Sequence, residues 1–365
     1  MEVREIRFDT VSKETYREKN IIYGAGYNGK LLLEKLHERK VSVEAFYDDD
    51  KSRWGEDFCG KRILSQSQFV EYDKKLTNIF VSSMYIGQIT AKIKEMGFQK
   101  VYASLDLLLE KDSEDFKFDK YTGNQDYIRD LEYLLDVSED GLTKKYFGLI
   151  RKTVLKGRAI PEIVDLYCGE KQYFLSCFKG KLDGLNFLDG GAYTGDTVRE
   201  MCEEGIYPGM VYCFEADDRN YRKLVEYRNS SKNKEYMVCE NSALWDCRTK
   251  LGMKFENYNA RIDTGAKETT VETVTIDEYF SNIKTGFIKM DIEGAERRAL
   301  AGGMKTIKRD RPILAVSIYH GLEDMVGIPK ILMNELERYS FVVRHHSYTY
   351  SETVLYCVPK ELGIL

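Results

Sequence analysis

Paired cysteines are missing from this chain. Its eight cysteines, at positions 59, 168, 177, 202, 213, 239, 247 and 357, form no CxxC pair and no regular framework. That excludes a zinc ribbon or a disulfide-stapled scaffold and fits free thiols in a reducing compartment. A basic excess is missing too: 55 Lys and Arg stand against 60 Asp and Glu, a net charge of -5. A nucleic-acid binder would normally carry a basic balance or stripe, so only local patches remain open to that role. No uninterrupted apolar run approaches the ~20 residues of a membrane helix. The charged start Met-Glu-Val-Arg-Glu lacks an apolar signal core. No internal repeat of roughly 20–50 residues is visible. These absences predict a soluble, cytoplasmic protein with no membrane span and no nucleic-acid partner.

What is present suffices for two packed cores. The chain has 365 residues, 43% of them hydrophobic, and single cores stop growing near this size. Residues 1–110 read as one α/β unit. Strands are expected at 20–23, 41–47, 78–82 and 100–103, with helices at 30–39 and 86–96. Residues 111–182 read as a connector: a charged linker at 111–120, then helices at 126–135 and 141–156. Residues 183–365 read as a second α/β unit. Its strands are expected at 186–188, 210–214, 236–239, 286–290 and 312–318. Its helices are expected at 196–203, 217–229, 294–308 and 328–339. Alternation of strand and helix implies two Rossmann-like parallel sheets. The second closes with strand-like runs at 341–346 and 353–358, an antiparallel hairpin that a plain dinucleotide fold lacks and a class I methyltransferase sheet has.

The most informative segment is Phe187-Leu-Asp-Gly-Gly-Ala-Tyr-Thr-Gly-Asp-Thr197. An apolar strand ends on an acid, turns through glycines and opens a helix, which is how a nucleotide-like cofactor is approached by backbone. Asp189 before the turn would repel a pyrophosphate and suit the sulfonium and ammonium of S-adenosylmethionine. Acids and other polar groups recur where later strands should end. Glu215 is placed to accept from ribose hydroxyls. Asn241, Ser242 and Ala243 are placed beside an adenine edge. Asp291 and His320 close the next two strands. In an open α/β sheet these carboxyl ends share one crevice. Each has a plainer reading, Asp217 as a helix N-cap and Asp291 and Glu293 as acids serving the helix after Gly294.

The first unit carries Gly24-x-Gly26-x-x-Gly29 and then Asp48, a dinucleotide fingerprint in spacing. It has no Tyr-x-x-x-Lys pair and no histidine except His37 in a helix, so a nucleotide pocket and a degenerate docking domain both stay open. Asp291, Glu293 and His320 together would suit a divalent ion, but no recognised ligand spacing supports one, and no metal is expected. His345 and His346 alternate on a strand and face opposite ways.

Residues 173–358 resemble the FkbM family of S-adenosylmethionine-dependent methyltransferases. The likeness runs through Tyr173-Phe174, the 189–197 turn, Phe214-Glu-Ala-Asp217, Asn241-Ser-Ala-Leu-Trp-Asp246 and Thr273-Val-Thr-Ile-Asp-Glu278. It continues through Phe287-Ile-Lys-Met-Asp-Ile-Glu-Gly-Ala-Glu296, Ile318-Tyr-His320, Glu323-Asp324, Ile328-Pro329, Arg344-His345 and Glu352-Thr-Val-Leu-Tyr356. Ala216 stands where members often carry proline. The resemblance implies methyl transfer to a hydroxyl, often of a sugar in a glycan or natural product. Asp189, Gly190, Gly191, Ala192, Gly195, Asp196 and Thr197 would then hold the methionine end of the cofactor. Glu215, Ala216 and the 241–243 segment would hold its nucleoside. His320 is expected as base with Asp291 as its partner, and Tyr319, Arg344, His345 and Glu293 as acceptor contacts. The first unit, through Ile22-Tyr-Gly-Ala-Gly26 and Phe46-Tyr-Asp-Asp-Asp50, is similar to small nucleotide-sugar-binding domains. An NAD-dependent sugar oxidoreductase and a non-catalytic nucleotide-sugar binder are the competing readings. Oligomer formation is left open.

Overall fold

A computed structural model describes residues 19–83, 86–103, 105–256, 259–262 and 270–365. The charged amino terminus lies outside them. Two compact units emerge. One holds residues up to 122 with 153–167 and 347–350, the other 123–152, 168–346 and 351–365.

In the first unit the strands are β1 Lys19–Tyr23, β2 Ala45–Tyr47, β3 Asp57–Phe58, β4 Lys61–Leu64, β5 Thr77–Val81 and β6 Lys100–Ala103. They form one sheet in the order β3-β4-β2-β1-β5-β6. All its neighbours are parallel except the β3–β4 hairpin. Helices α1 Tyr27–Glu38, α2 Gln66–Val70 and α3 Ile86–Glu95 make the crossovers. Ile22, Leu32, Leu36, Phe46, Ile63 and Phe80 form part of the core. The sheet reverses direction of growth between β1 and β5, and Gly24 lies at the carboxyl end of β1 there.

Residues 111–120 are not a linker. Helix α4 Leu105–Phe116 runs into a short 3-10 turn at Phe118–Tyr121. Buried Leu108, Leu109 and Phe118 account for the difference, since they anchor a segment whose charges alone suggested solvent. Helices α5 Gln125–Val137 and α6 Gly141–Lys156 stand as expected.

The second unit follows as β7 Phe187–Gly190, α7 Asp196–Glu203, β8 Val211–Phe214, α8 Asp218–Ser230 and β9 Met237–Glu240. An unexpected small sheet of β10 Ala243–Leu244, β11 Lys250–Glu256, β12 Asn259–Ile262 and β13 Thr270–Val274 comes next. Then come α9 Ile276–Tyr279, β14 Phe287–Met290, α10 Glu296–Ala301, α11 Met304–Asp310, β15 Ile313–Ser317, α12 Leu322–Glu335, β16 Tyr339–His345 and β17 Thr353–Pro359. The main sheet runs β16-β17-β15-β14-β7-β8-β9. β17 is antiparallel to both neighbours, so the closing hairpin inserts its last strand beside β15.

The expected helix over 294–308 is two helices, because the break at Gly302-Gly303 admits no side chain. A Cβ at Gly302 would lie 2.1 Å from the Trp245 carbonyl oxygen. The turn joining β16 to β17 is packed rather than solvated: Ser347, Tyr348, Thr349 and Tyr350 are all buried. All eight cysteines are free. Among the described residues no helix is long and apolar enough to cross a membrane.

Candidate functional site

The main sheet of the second unit changes direction between β7 and β14, where open α/β sheets bind ligands. β7 delivers Asp189 and Gly190 to this point, and the chain then turns on Gly191 at φ +74. A Cβ on Gly191 would lie 1.8 Å from the Asp291 carbonyl oxygen, so only glycine fits the turn. The amides of Gly191 and Ala192 both donate to the Phe214 carbonyl at 3.0 Å. Gly195, at φ +85, starts α7, with Asp196 exposed in its first turn and Thr197 buried.

Asp189 is not an open carboxylate. The parallel register sets Lys289 beside it, with Nζ 3.0 Å from Oδ1 and both side chains buried. Lys289 also donates to the carbonyls of Gly190 and Gly191, at 3.1 and 2.8 Å. Burial pushes the Asp189 carboxyl above its usual range while Lys289 pulls it back. Burial also works against the Lys289 ammonium, but Asp189, Asp291 and Asp196 outweigh it and hold the amine charged. The expectation that Asp189 meets the cofactor's cation directly is therefore corrected: its charge is answered by Lys289, and the pair stiffens the turn from beneath.

Glu215 serves the same turn. Its carboxylate accepts from the Tyr193 amide at 2.8 Å and the Asp217 amide at 2.9 Å. Burial lifts its pKa to about 7 against the pull of those amides. Asn241 donates to the Glu215 carbonyl at 3.0 Å and is exposed, beside half-buried Ala216 and buried Ser242 and Ala243. Asp217 is the N-cap of α8.

Around Asp291 lies a dense polar cluster. Tyr173 donates to its Oδ2 at 2.7 Å, and Tyr319 to Oδ1 and Oδ2 at 3.1 and 3.2 Å. His320 Nε2 is 3.2 Å from Asp291 Oδ1 and 3.8 Å from Glu293 Oε2, and its Nδ1 is 3.0 Å from Glu296 Oε1. Burial alone would lower the histidine's pKa, but Glu296 and Asp291 hold it well above the usual value. Burial likewise opposes the Asp291 carboxylate, yet His320, Lys289 and Tyr173 keep it well below the carboxylate range. Without a bound cation, carboxylates beside both ring nitrogens favour the protonated ring, which counts against His320 as a resting general base. Glu352 is the member poised near neutrality. Burial and the Asp291 charge lift it to about 7. It accepts from Gln172 at 2.7 Å, and the same amide reaches the Tyr173 hydroxyl at 3.1 Å.

Two expected acceptor contacts belong to the fold instead. Arg344 forms a forked pair with Asp140, at 2.8 and 3.2 Å, so its charge is neutralised within the unit. His345 is buried, with Nδ1 2.8 Å from the Thr353 hydroxyl. Lys289, Glu296, Gln172 and Glu352 were missed as site residues. The only signal for Lys289 was a lysine inside the apolar run Phe-Ile-Lys-Met.

In the first unit the fingerprint residues satisfy each other. Asp48 accepts from the Ala25 amide at 2.8 Å and the Asp50 amide at 2.9 Å. The Arg53 guanidinium holds the Ala25 carbonyl at 2.7 Å. Gly24 takes φ +107 against Ser82, Gly26 precedes α1, and Gly29 packs on the Gly24 carbonyl. The amide meant for a pyrophosphate and the acid meant for a ribose are bonded to one another. An apolar cavity of about 190 Å³, lined in part by Val198, Met201, Ile206 and Met237, lies at the amino ends of β8 and β9, at the opposite end of the strands from the glycine turn.

The methyltransferase FkbM domain model matches residues 189–348, and a model described as C2185-like, N-terminal, matches 16–102. No curated relative matches the chain. The crystal structure of a methyltransferase FkbM from Methylobacillus flagellatus KT is 19% identical with a TM-score of 0.56, covering 95% of this chain and 94% of its own. A putative rRNA methylase from Clostridium thermocellum is 11% identical over 48% of this chain and 86% of its own, with a TM-score of 0.32. Aeropyrum pernix fibrillarin, crystallised with S-adenosyl-L-methionine, is 13% identical over 48% of this chain and 67% of its own, also with a TM-score of 0.32. Residues 189–348 are a methyltransferase domain of the FkbM family.

Proposed function

We propose that the second unit transfers a methyl group from S-adenosylmethionine to a hydroxyl of a sugar or glycan precursor. The observation that carries this reading is the turn at Gly190–Gly195, braced by Lys289 and Glu215, beside a cluster with more carboxylates than cations. That surplus favours a sulfonium cofactor over a pyrophosphate. In this reading the Asn241–Ala243 segment would meet the adenine and the exposed Asp196 the methionine ammonium.

In the reaction the acceptor oxygen's lone pair forms the new bond to the methyl carbon. S-adenosylmethionine, when bound, would supply the methyl carbon and take back the carbon–sulfur electron pair as a neutral thioether. The hydroxyl proton passes to the carboxylate cluster, where Glu352 is the member able to keep it near neutral pH. Asp291, fixed by Tyr173, Tyr319 and His320, orients the acceptor. Alignment of this kind supplies a large part of methyl-transfer acceleration.

Calorimetric titration with S-adenosylhomocysteine, with NAD in parallel, tests the reading. The expected result is one saturable site for S-adenosylhomocysteine, weakened in Glu215→Ala. Binding of NAD alone would overturn it.

A further inference from the structure

The cluster around His320 gathers three carboxylates, Asp291, Glu293 and Glu296, about one imidazole. His320 is 3% exposed and Glu296 fully buried. Neither imidazole nitrogen makes a well-directed hydrogen bond, although carboxylate oxygens lie at 3.0 and 3.2 Å, and Glu296 Oε2 has no hydrogen-bond partner. Asp291, Glu296 and His320 present ligand-type atoms all within 4.8 Å of one another.

We propose that His320, Asp291 and Glu293 form a divalent-cation site, with Glu296 as the carboxylate that orients the imidazole.

Donor spacing supports this choice of atoms. Bonds of about 2.0–2.2 Å at tetrahedral to octahedral angles separate donors by roughly 3.0–3.5 Å. His320 Nε2 and Asp291 Oδ1, at 3.2 Å, already stand that far apart, and Glu293 Oε2, at 3.8 Å from Nε2, needs a shift of a few tenths of an ångström. The other ring nitrogen faces Glu296, which accepts from the Ile292 amide at 2.8 Å and so cannot turn away. A carboxylate behind a ligating histidine is the usual arrangement around a metal. Asp291 is braced in the same way by the hydroxyls of Tyr173 and Tyr319. Asp291 and Glu293 keep 22% and 29% exposure, so an ion has a way in and open positions for water or an acceptor oxygen. Two carboxylates with one imidazole suit a first-row divalent ion such as manganese or zinc. Bound there, it would hold the acceptor hydroxyl and lower its pKa, a role that rests on the methyl-transfer reading. The site itself does not.

The experiment is a titration of the metal-free full chain with Mn²⁺, read by electron paramagnetic resonance without cofactor or acceptor. One site is expected, with a nitrogen coupling from a single imidazole. It should vanish in His320→Gln and weaken about 10–100-fold in Glu296→Gln, with circular dichroism confirming that both variants fold. No saturable binding overturns the proposal. So does binding by the unaltered chain with no nitrogen coupling, which needs no variant to fold. Failure of S-adenosylhomocysteine to bind would refute the methyltransferase reading alone, because the metal titration contains neither cofactor nor acceptor.

Discussion

Replacing Lys289 by methionine isolates the pair beneath the glycine turn. Methionine keeps the length and apolar stem but removes the charge opposite Asp189. At 3.0 Å and an effective dielectric of about 20, the attraction is about 5 kcal/mol. The two carbonyls that Lys289 holds would also lose a charged donor. Against this, the variant no longer has to bury an ammonium. Breaking a buried pair from one side typically costs about 3–5 kcal/mol, and we expect Lys289→Met to fall there, measured by urea denaturation at pH 7. The deficit should depend on pH. Without Lys289 the folded-state pKa of Asp189 rises further above its unfolded value. The stability that goes with its protonation is complete at acid pH and lost as pH rises through the folded value. The deficit should therefore shrink at pH 5. Asp189→Asn combined with Lys289→Met should recover part of the loss, because no buried charge is left unanswered. A deficit under about 1 kcal/mol, or one independent of pH, would refute the reasoning.

Two further outcomes follow from single contacts. Gly191→Ala should abolish S-adenosylhomocysteine binding, since its Cβ would collide with the Asp291 backbone at 1.8 Å; binding within threefold of the unaltered chain by calorimetry would show the turn to be free. Glu352→Gln should remove a pH dependence of stability. With a folded pKa near 7 against an ordinary 4.5, the carboxyl's contribution is complete below about pH 4.5 and lost as pH rises through 7. Relative to the variant, and with a chelator present, the unaltered chain should lose on the order of 3 kcal/mol between pH 4.5 and 8, and parallel denaturation curves would contradict the assignment.

The sequence carried the strand ends well, because an apolar run closing on an acid and a glycine is a local signal. Asp189 lies in such an end in β7, Glu215 and Asp291 directly follow β8 and β14, and His320 lies three residues past β15. Who answers whom was not local. Asp140 and Arg344 are 204 residues apart, and Tyr173 is 118 from Asp291. Only the β7–β14 register could set Lys289 beside Asp189. His345 is an acceptor contact by the family resemblance, yet its place on β16 buries it in the fold. Glu352 hides in a left-handed position, φ +55, just before β17, where a turn residue was the natural expectation. The 243–274 sheet escaped although β11 spans seven residues, because Lys250, Lys254, Glu256 and Glu272 interrupt any apolar run along its strands.

The two units use one device twice, and the comparison locates the specificity. Each has a parallel sheet with a glycine turn at its point of reversal. Each has an acid after the second strand that accepts a backbone amide of that turn, Asp48 from Ala25 and Glu215 from Tyr193. Neither the glycines nor that acid can therefore distinguish a binding site from a braced loop. What differs is the charge alongside. In the first unit Asp49 is answered by Lys92 and by the Tyr23 hydroxyl, so the neighbouring charge is spent. In the second, Lys289 answers Asp189, while Asp291, Glu293 and Glu296 share one imidazole and leave negative charge in surplus at a half-buried position. Such a surplus is costly without a cation. Its retention beside the turn is the physical reason to look for a cationic cofactor, a metal ion, or both at this unit rather than at the first.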